Sequence, residues 1–289
     1  GQDSSCHLEP SGEALSAGGG GSGGAVSVVA VRVAGRGIVS VDGGSARARC
    51  DNLCAISGGG GAGGRVSLMY QTFDTALLRF SAHGGRSNGC THAAAGTIYE
   101  APLRALTVDN SPLEGHIERM SPASALTPFP TGLPPLFLLR VRSRAMVGFP
   151  DQKVERIVVE RNGFLVTSPG RIHLNATELV VNGTGLVGCL MCHHATLAAN
   201  NLPGCVRNCP LFELNITRAR LLDGASILGV QVKILAQSLT GGSTSAIQTS
   251  DLVAESYLEV VADTISFGGR LRFSTIQINA ASVALLSTA

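Results

Sequence analysis

The most suggestive spacing in the chain is Cys189-x2-Cys192 followed by Cys205-x3-Cys209, with His193 and His194 lying between the pairs. Four such ligands at these separations are what a tetrahedral zinc centre requires. The same thiols can instead close disulfides, stapling a loop that lacks a core of its own at about 2 to 4 kcal/mol per bridge. The choice between the two turns on compartment. The remaining cysteines are Cys6, Cys50, Cys54 and Cys90, so the total of eight is even. Three N-x-[ST] triplets accompany them, at Asn175, Asn182 and Asn215. Eight cysteines with three acceptor sites for N-glycosylation favour a secreted, disulfide-bonded glycoprotein over a reducing compartment. All eight cysteines are therefore read as disulfide candidates with their pairing open, and no metal or cofactor is expected.

Asp42 and His83 are the next candidates. Val39-Ser40-Val41-Asp42-Gly43-Gly44 is echoed by Phe80-Ser81-Ala82-His83-Gly84-Gly85, so the two side chains hold equivalent places in a repeat and are expected on one face two coils apart. A carboxylate beside an imidazole can do acid–base work. A lone polar residue before Gly-Gly is more often a hydrogen-bonded turn group. Glycoside hydrolysis needs two carboxyls about 5 to 9 Å apart, and the Asp residues are scattered with no two adjacent. Calcium-binding β-rolls need an Asp within each Gly-rich unit, whereas the runs Gly18 to Gly24 and Gly58 to Gly64 contain no carboxylate. No catalytic residue is assigned.

Composition narrows the partners. The 289 residues are 44% hydrophobic and only 15% charged, with a net charge of +2, which gives no reason to expect nucleic acid or an anionic membrane. Aromatic residues make up 4% and Trp is absent, so flat platforms for stacking sugars or bases are scarce. No apolar run reaches the roughly 18 to 20 residues that span a bilayer.

The elements that must carry these residues show in a five-residue beat. Ile172-His173-Leu174-Asn175-Ala176 reads apolar, polar, apolar, polar, small, and the beat returns at Phe212, Val232, Leu258 and Ile276. Alternation of period two marks strands. One short strand per repeat cannot bury its apolar side alone, but stacked coils can, so the chain is expected to be an all-β parallel β-helix. Asn175 and Asn215 share the fourth, outward place of the beat and are expected two coils apart.

Glycine runs recur 40 residues apart before Val26-Ser27-Val28 and Val66-Ser67-Leu68, and are read as tight turns between coils, two coils of about 20 residues to a repeat. Residues 1–17 form an irregular N-terminal segment, 18–110 Gly-rich coils, 111–136 a connector with six prolines, and 137–289 further coils interrupted by a Cys-rich insertion at 185–210. The last rung, Ile276 to Leu286, has no capping helix, so more chain or another subunit is expected against it.

Three runs in close succession carry a family resemblance: His83-Gly84-Gly85-Arg86-Ser87-Asn88-Gly89-Cys90, Ala94-Ala95-Gly96-Thr97-Ile98-Tyr99-Glu100, and Leu106-Thr107-Val108-Asp109-Asn110. Together with the Gly-rich coils they resemble the large glycine-rich cell-surface proteins of plants and green algae. The resemblance covers residues 18–110 well and the later rungs in style. It implies a right-handed, pectin-lyase-like solenoid in an extracellular or membrane-tethered ectodomain, and it supplies no catalytic residues. The expected function is a non-enzymatic structural or adhesive module of the cell surface, cell wall or a flagellar appendage. Its partners would be other subunits, further segments of the same chain or extracellular polysaccharide. The alternative is a pectin-lyase-like module that binds or cleaves polysaccharide.

Overall fold

A computed structural model describes residues 19–46, 59–74, 77–86, 93–111, 126–167, 172–189, 211–249 and 255–285. They contain twenty strands, numbered in chain order, and no α-helix. Eleven form one long sheet: β1 (Ala25–Ala34), β3 (Arg65–Asp74), β5 (Thr97–Glu100), β6 (Ala105–Asp109), β8 (Leu138–Arg142), β10 (Val154–Glu160), β12 (His173–Asn182), β14 (Phe212–Leu221), β16 (Gln231–Gly241), β18 (Tyr257–Phe267) and β20 (Thr275–Leu285), in that order across the sheet. Seven short strands form a second sheet: β7 (Leu126–Thr127), β9 (Met146–Gly148), β11 (Phe164–Val166), β13 (Leu186–Gly188), β15 (Ser226–Leu228), β17 (Ala246–Gln248) and β19 (Arg270–Arg272). The pair β2 (Gly37–Ser40) and β4 (Leu78–Ser81) makes a third. The ladders are parallel except between β5 and β6. Long and short strands alternate along the chain in successive stacked coils, the arrangement of a β-helix or solenoid and not of a closed barrel.

The beat seen in the sequence is the first half of each long strand. Leu174 and Ala176, Leu214 and Ile216, Ile234 and Ala236, and Val260 and Ala262 point into the core. The inward side then shifts by one residue, to Leu179 and Val181, Ala219 and Leu221, Leu239, and Ile265 and Phe267. The ladder skips a pair at that point: Ala236 pairs with Ala262 and the next pair is Ser238 with Thr264. Each long strand therefore turns a corner, and the beat ends there on Ala in four of its five copies and on Ile216 in β14.

A second turn leads from long strand to short. Arg142–Ala145, Glu160–Gly163, Asn182–Gly185 and Leu222–Ala225 each close an i to i+3 bond of 2.9 to 3.1 Å with positive φ at both central residues. These are type I′ turns, and they lie on one another: Asn162 N donates to Gly183 O and Thr184 N to Asp223 O. Coils here repeat every 18 to 26 residues, apart from the 33-residue step from β6 to β8 and the 40-residue step from β12 to β14.

The N-terminal coils are built differently. β1 pairs with β3 residue for residue at a separation of 40, so the 40-residue repeat is one coil and not two. The extra length is taken up by the glycine runs. They are not turns: residues 19–24, 41–46, 59–64, 82–86 and 93–96 lie beside one another, joined by backbone hydrogen bonds between segments. Their amides donate outward to different neighbours, Gly20 to Gly59 O, Gly44 to Gly21 O, Gly61 to Gly44 O and Gly85 to Gly61 O. Backbone this close excludes side chains. A Cβ on Gly61 would lie 2.0 Å from Gly21 O, and one on Gly20 1.8 Å from Gly44 O.

The two kinds of coil meet at the β5–β6 hairpin. Strands β1, β3 and β5 run one way, and β6 with all later long strands runs the other. The core changes sides at the same place. Ile98 packs with Val66 and Leu68 in a small cluster, while its neighbour Tyr99 packs on the main core of Leu106, Leu139 and Val141. Strand direction and core side reverse together, so the two blocks wind in the same sense. This seam falls at 101–104. The described part of the Pro-rich stretch, from Leu126 on, contributes β7 and the buried Phe129 and Leu136.

Candidate functional site

Pairing of Ser40 with Ser81 in the small β2–β4 sheet brings Asp42 and His83 together one rung apart, closer than the two coils expected. The Asp42 carboxylate accepts from Ser40 Oγ at 2.8 Å, from the His83 amide at 2.6 Å and from Ser81 Oγ. Ser81 Oγ also lies 3.0 Å from His83 Nδ1, and that nitrogen is 3.5 Å from Asp42 Oδ1. One coil on, the buried Asn110 accepts from the Gly84 amide at 2.7 Å and donates to Ala93 O at 3.3 Å.

Serine, histidine and aspartate in contact invite comparison with a hydrolytic triad. There, serine and carboxylate sit on opposite nitrogens of the imidazole, so a proton passes from one side and charge is stabilised from the other. Here Ser81 and Asp42 both approach Nδ1, and Ser81 bonds directly to the carboxylate. Burial would raise the pKa of Asp42, but the bonds from Ser81, the His83 amide and Ser40, with the His83 charge, outweigh it and hold the carboxyl below its usual range. The cluster reads as a tie that fixes two Gly-Gly segments in the bundle. Ser40, Ser81 and Asn110 were not singled out in the sequence, although the repeated Ser-x-[Asp/His]-Gly-Gly was in view.

The outer side of the long sheet carries ion pairs between rungs. Glu178 lies 3.0 Å from Arg156 and 2.7 Å from Arg220. Asp109 meets Arg142 at 2.8 Å, Glu259 meets Lys233 at 3.6 Å and Glu160 meets Arg140 at 4.0 Å. Near the aromatic contacts of Phe73 with Tyr70 and Phe80, the Tyr70 hydroxyl donates to Glu100 at 3.0 Å. Burial and that carboxylate push the Tyr70 pKa up to about 12.

Asn175 and Asn215 are both exposed and are direct partners in the β12–β14 ladder. They stand one rung apart, about 4.8 Å, where two coils had been expected. The expected insertion at 185–210 begins too early, because Leu186–Gly188 are the regular strand β13 of the second sheet; the chain between Cys189 and Leu211 uses up one coil's length without placing a described strand in either sheet. Asn182 opens a type I′ turn, and the hydroxyl of its triplet's Thr184 donates to Asn162 Oδ1 in the turn below. Cys189 is buried and disulfide-bonded, so its sulfur is not free for a metal. Its partner, along with Cys6, Cys50, Cys54, Cys90, Cys192, Cys205, Cys209, His193, His194 and residues 1–17, lies outside the described residues. Among the described residues no three His, Cys, Asp or Glu side chains converge as a metal site, and no helix is long and apolar enough to cross a membrane. No protein-family model matches the chain, and no curated protein or solved structure is significantly similar to it.

Proposed function

We propose that the chain is a non-enzymatic structural or adhesive module of an extracellular glycoprotein, a right-handed pectin-lyase-like β-helix related to the glycine-rich cell-surface proteins that its motifs resemble. One observation carries this reading. The carboxylates that line up across rungs do so beside arginine or lysine, as Glu178 does between Arg156 and Arg220. Polysaccharide cleavage of the glycosidase kind needs two carboxyls facing one substrate, whereas a ladder of opposite charges makes a stiff, self-satisfied surface. The Asp42–Ser81–His83 cluster has the residue types of a catalytic site, yet its polar atoms are spent on one another and on backbone. The exposed acceptor triplets at Asn175 and Asn215 and the bonded Cys189 support the extracellular setting.

The test is incubation of the purified chain with polygalacturonate and neutral cell-wall polymers, followed by assay for new reducing ends and unsaturated uronates. No cleavage above blank is expected. Turnover that vanishes in Asp42→Asn or His83→Ala would overturn the reading in favour of a polysaccharide-cleaving module. Intact mass before and after reduction and deglycosylation tests the setting. A chain with eight free thiols and no glycan, when secreted from a glycosylating host, would refute it.

A further inference from the structure

We infer that Asn175 and Asn215 act as one glycosylation site, with a sugar chain on either and never on both in the folded molecule. The inference rests on the extracellular-glycoprotein reading and deepens it. Both asparagines head acceptor triplets, Asn175-Ala176-Thr177 and Asn215-Ile216-Thr217. Both are exposed, and each stands between two buried residues, Leu174 and Ala176 or Leu214 and Ile216, so the two side chains leave the same outer face of the long sheet. They are 40 residues apart in the chain, yet direct partners in the β12–β14 ladder.

The register decides what that face can hold. Parallel partners on neighbouring rungs project side by side in one direction, with about 4.8 Å between strands. An N-linked sugar chain is bulky, and its branched core spreads beyond the width of one rung. Two such chains rooted on adjacent rungs compete for the same space, and crowding them together costs conformational freedom. Leaning apart along the strands is opposed by flanking side chains. His173 and Thr177 stand two residues either side of Asn175, and Glu213 and Thr217 either side of Asn215; Thr177 is itself held to Glu155 at 3.1 Å. The ladder cannot slip by one residue to relieve the crowding, because that would turn the buried Leu214 and Ile216 outward. Attachment needs an accessible triplet, which the chain offers before its rungs stack. A chain bearing one sugar chain can lay β14 on β12 in register, and the second asparagine is then crowded out. A chain bearing two cannot close that ladder and does not join the folded, secreted pool.

The test counts sugar chains. The chain is secreted from a glycosylating host, and the protease-resistant product is weighed before and after enzymatic deglycosylation. The parent, Asn175→Gln and Asn215→Gln are expected to carry the same number of sugar chains, and the double variant one fewer. Any use of Asn182 adds equally to all four and leaves the comparison intact. Peptide mapping of the parent should find Asn175 and Asn215 each partly occupied. Thr217→Ala removes the triplet but keeps the asparagine, and should count as Asn215→Gln does. Either single variant carrying one sugar chain fewer than the parent would overturn the inference, because both sites then fill together or only one is ever used. A double variant that still matches the parent would overturn it too. Secreted protein with eight free thiols and no sugar chain on any form would sink the extracellular reading as well, whereas two sugar chains side by side would sink only this inference.

Discussion

Ile98 and Tyr99 are neighbours in the chain and pack into different cores, Ile98 with Val66 and Leu68, and Tyr99 against the cluster that contains Leu106 and Leu139. Truncating each should loosen a different half of the molecule. Ile98→Ala is expected to speed amide exchange in β1 and β3, and Tyr99→Ala in β6 and β8. Both residues are half-buried, so each loss should be about 1 to 2 kcal/mol, at the low end for large-to-small changes. Hydrogen exchange read by mass spectrometry checks this, and equal loosening of both halves by either variant would contradict the seam.

The glycine bundle makes a sharp contrast between positions. Gly61→Ala places a Cβ 2.0 Å from Gly21 O and 2.4 Å from its carbon, both backbone atoms that cannot swing aside. A destabilisation of about 1 to 3 kcal/mol or more is expected, as for other overpacked sites. Gly24→Ala meets no atom within 4 Å and should be neutral or slightly stabilising through the unfolded chain. Urea unfolding of the two variants distinguishes close packing from the alternative that these runs are merely flexible links.

Asp42 gives the fold an acid limb. Its carboxyl is held below the ordinary range, chiefly by Ser81 and the His83 amide working against burial. The folded value lies under the unfolded one, so the stabilisation is complete above the ordinary Asp value of about 3.9 and is lost as pH falls through the lower folded value. Asp42→Asn should therefore match the parent at the acid end, fall behind it as pH rises toward about 4, and trail by a constant margin above that. Denaturant unfolding between pH 3 and 7 measures the divergence, and parallel profiles would remove Asp42 from the account.

Glu178 tests how much the charge ladder contributes. It bridges Arg156 and Arg220, whose side chains are nearly half exposed. Pairs of this kind are worth about 0 to 1 kcal/mol each and are screened by salt. Glu178→Gln is expected to lower stability by about 1 kcal/mol at low ionic strength and by less at 0.5 M salt. A loss that salt leaves unchanged would point to packing, not charge.

The alternation at Leu174, Leu214, Ile234, Leu258 and Ile278 was enough to expect stacked strands, because period two is a property of the strand itself. It was blind to strand direction, since alternation reads the same both ways. That is why the reversal at 101–104 and the change of core side could not be foreseen. The 40-residue glycine repeat was visible, but its meaning was not. Glycine serves a turn and a close backbone approach equally well, and only the partners of Gly20, Gly44 and Gly61 distinguish the two. Of the stacked turns, one carries the sequence signature of its type: Asp223-Gly224 stands at the two central positions that favour it in a type I′ turn, whereas Asn162-Gly163 and Asn182-Gly183 fall one place off the centre of theirs. The Asp42–His83 proximity was legible from the echo of the two Gly-Gly motifs, while the number of coils between Asn175 and Asn215 was not. An insertion consumes residues without advancing the stack.

The β5–β6 hairpin also sets an order of events during folding. Its two strands are joined by four residues, Ala101 to Arg104, whereas neighbours in the parallel ladders lie 18 to 41 residues apart along the chain. Closing a short loop costs less entropy and takes microseconds. The hairpin is therefore the natural nucleus, with rungs added outward from it toward both termini. Substitutions near Ala105 should slow refolding, whereas those in β20 should act almost wholly on the rate of unfolding.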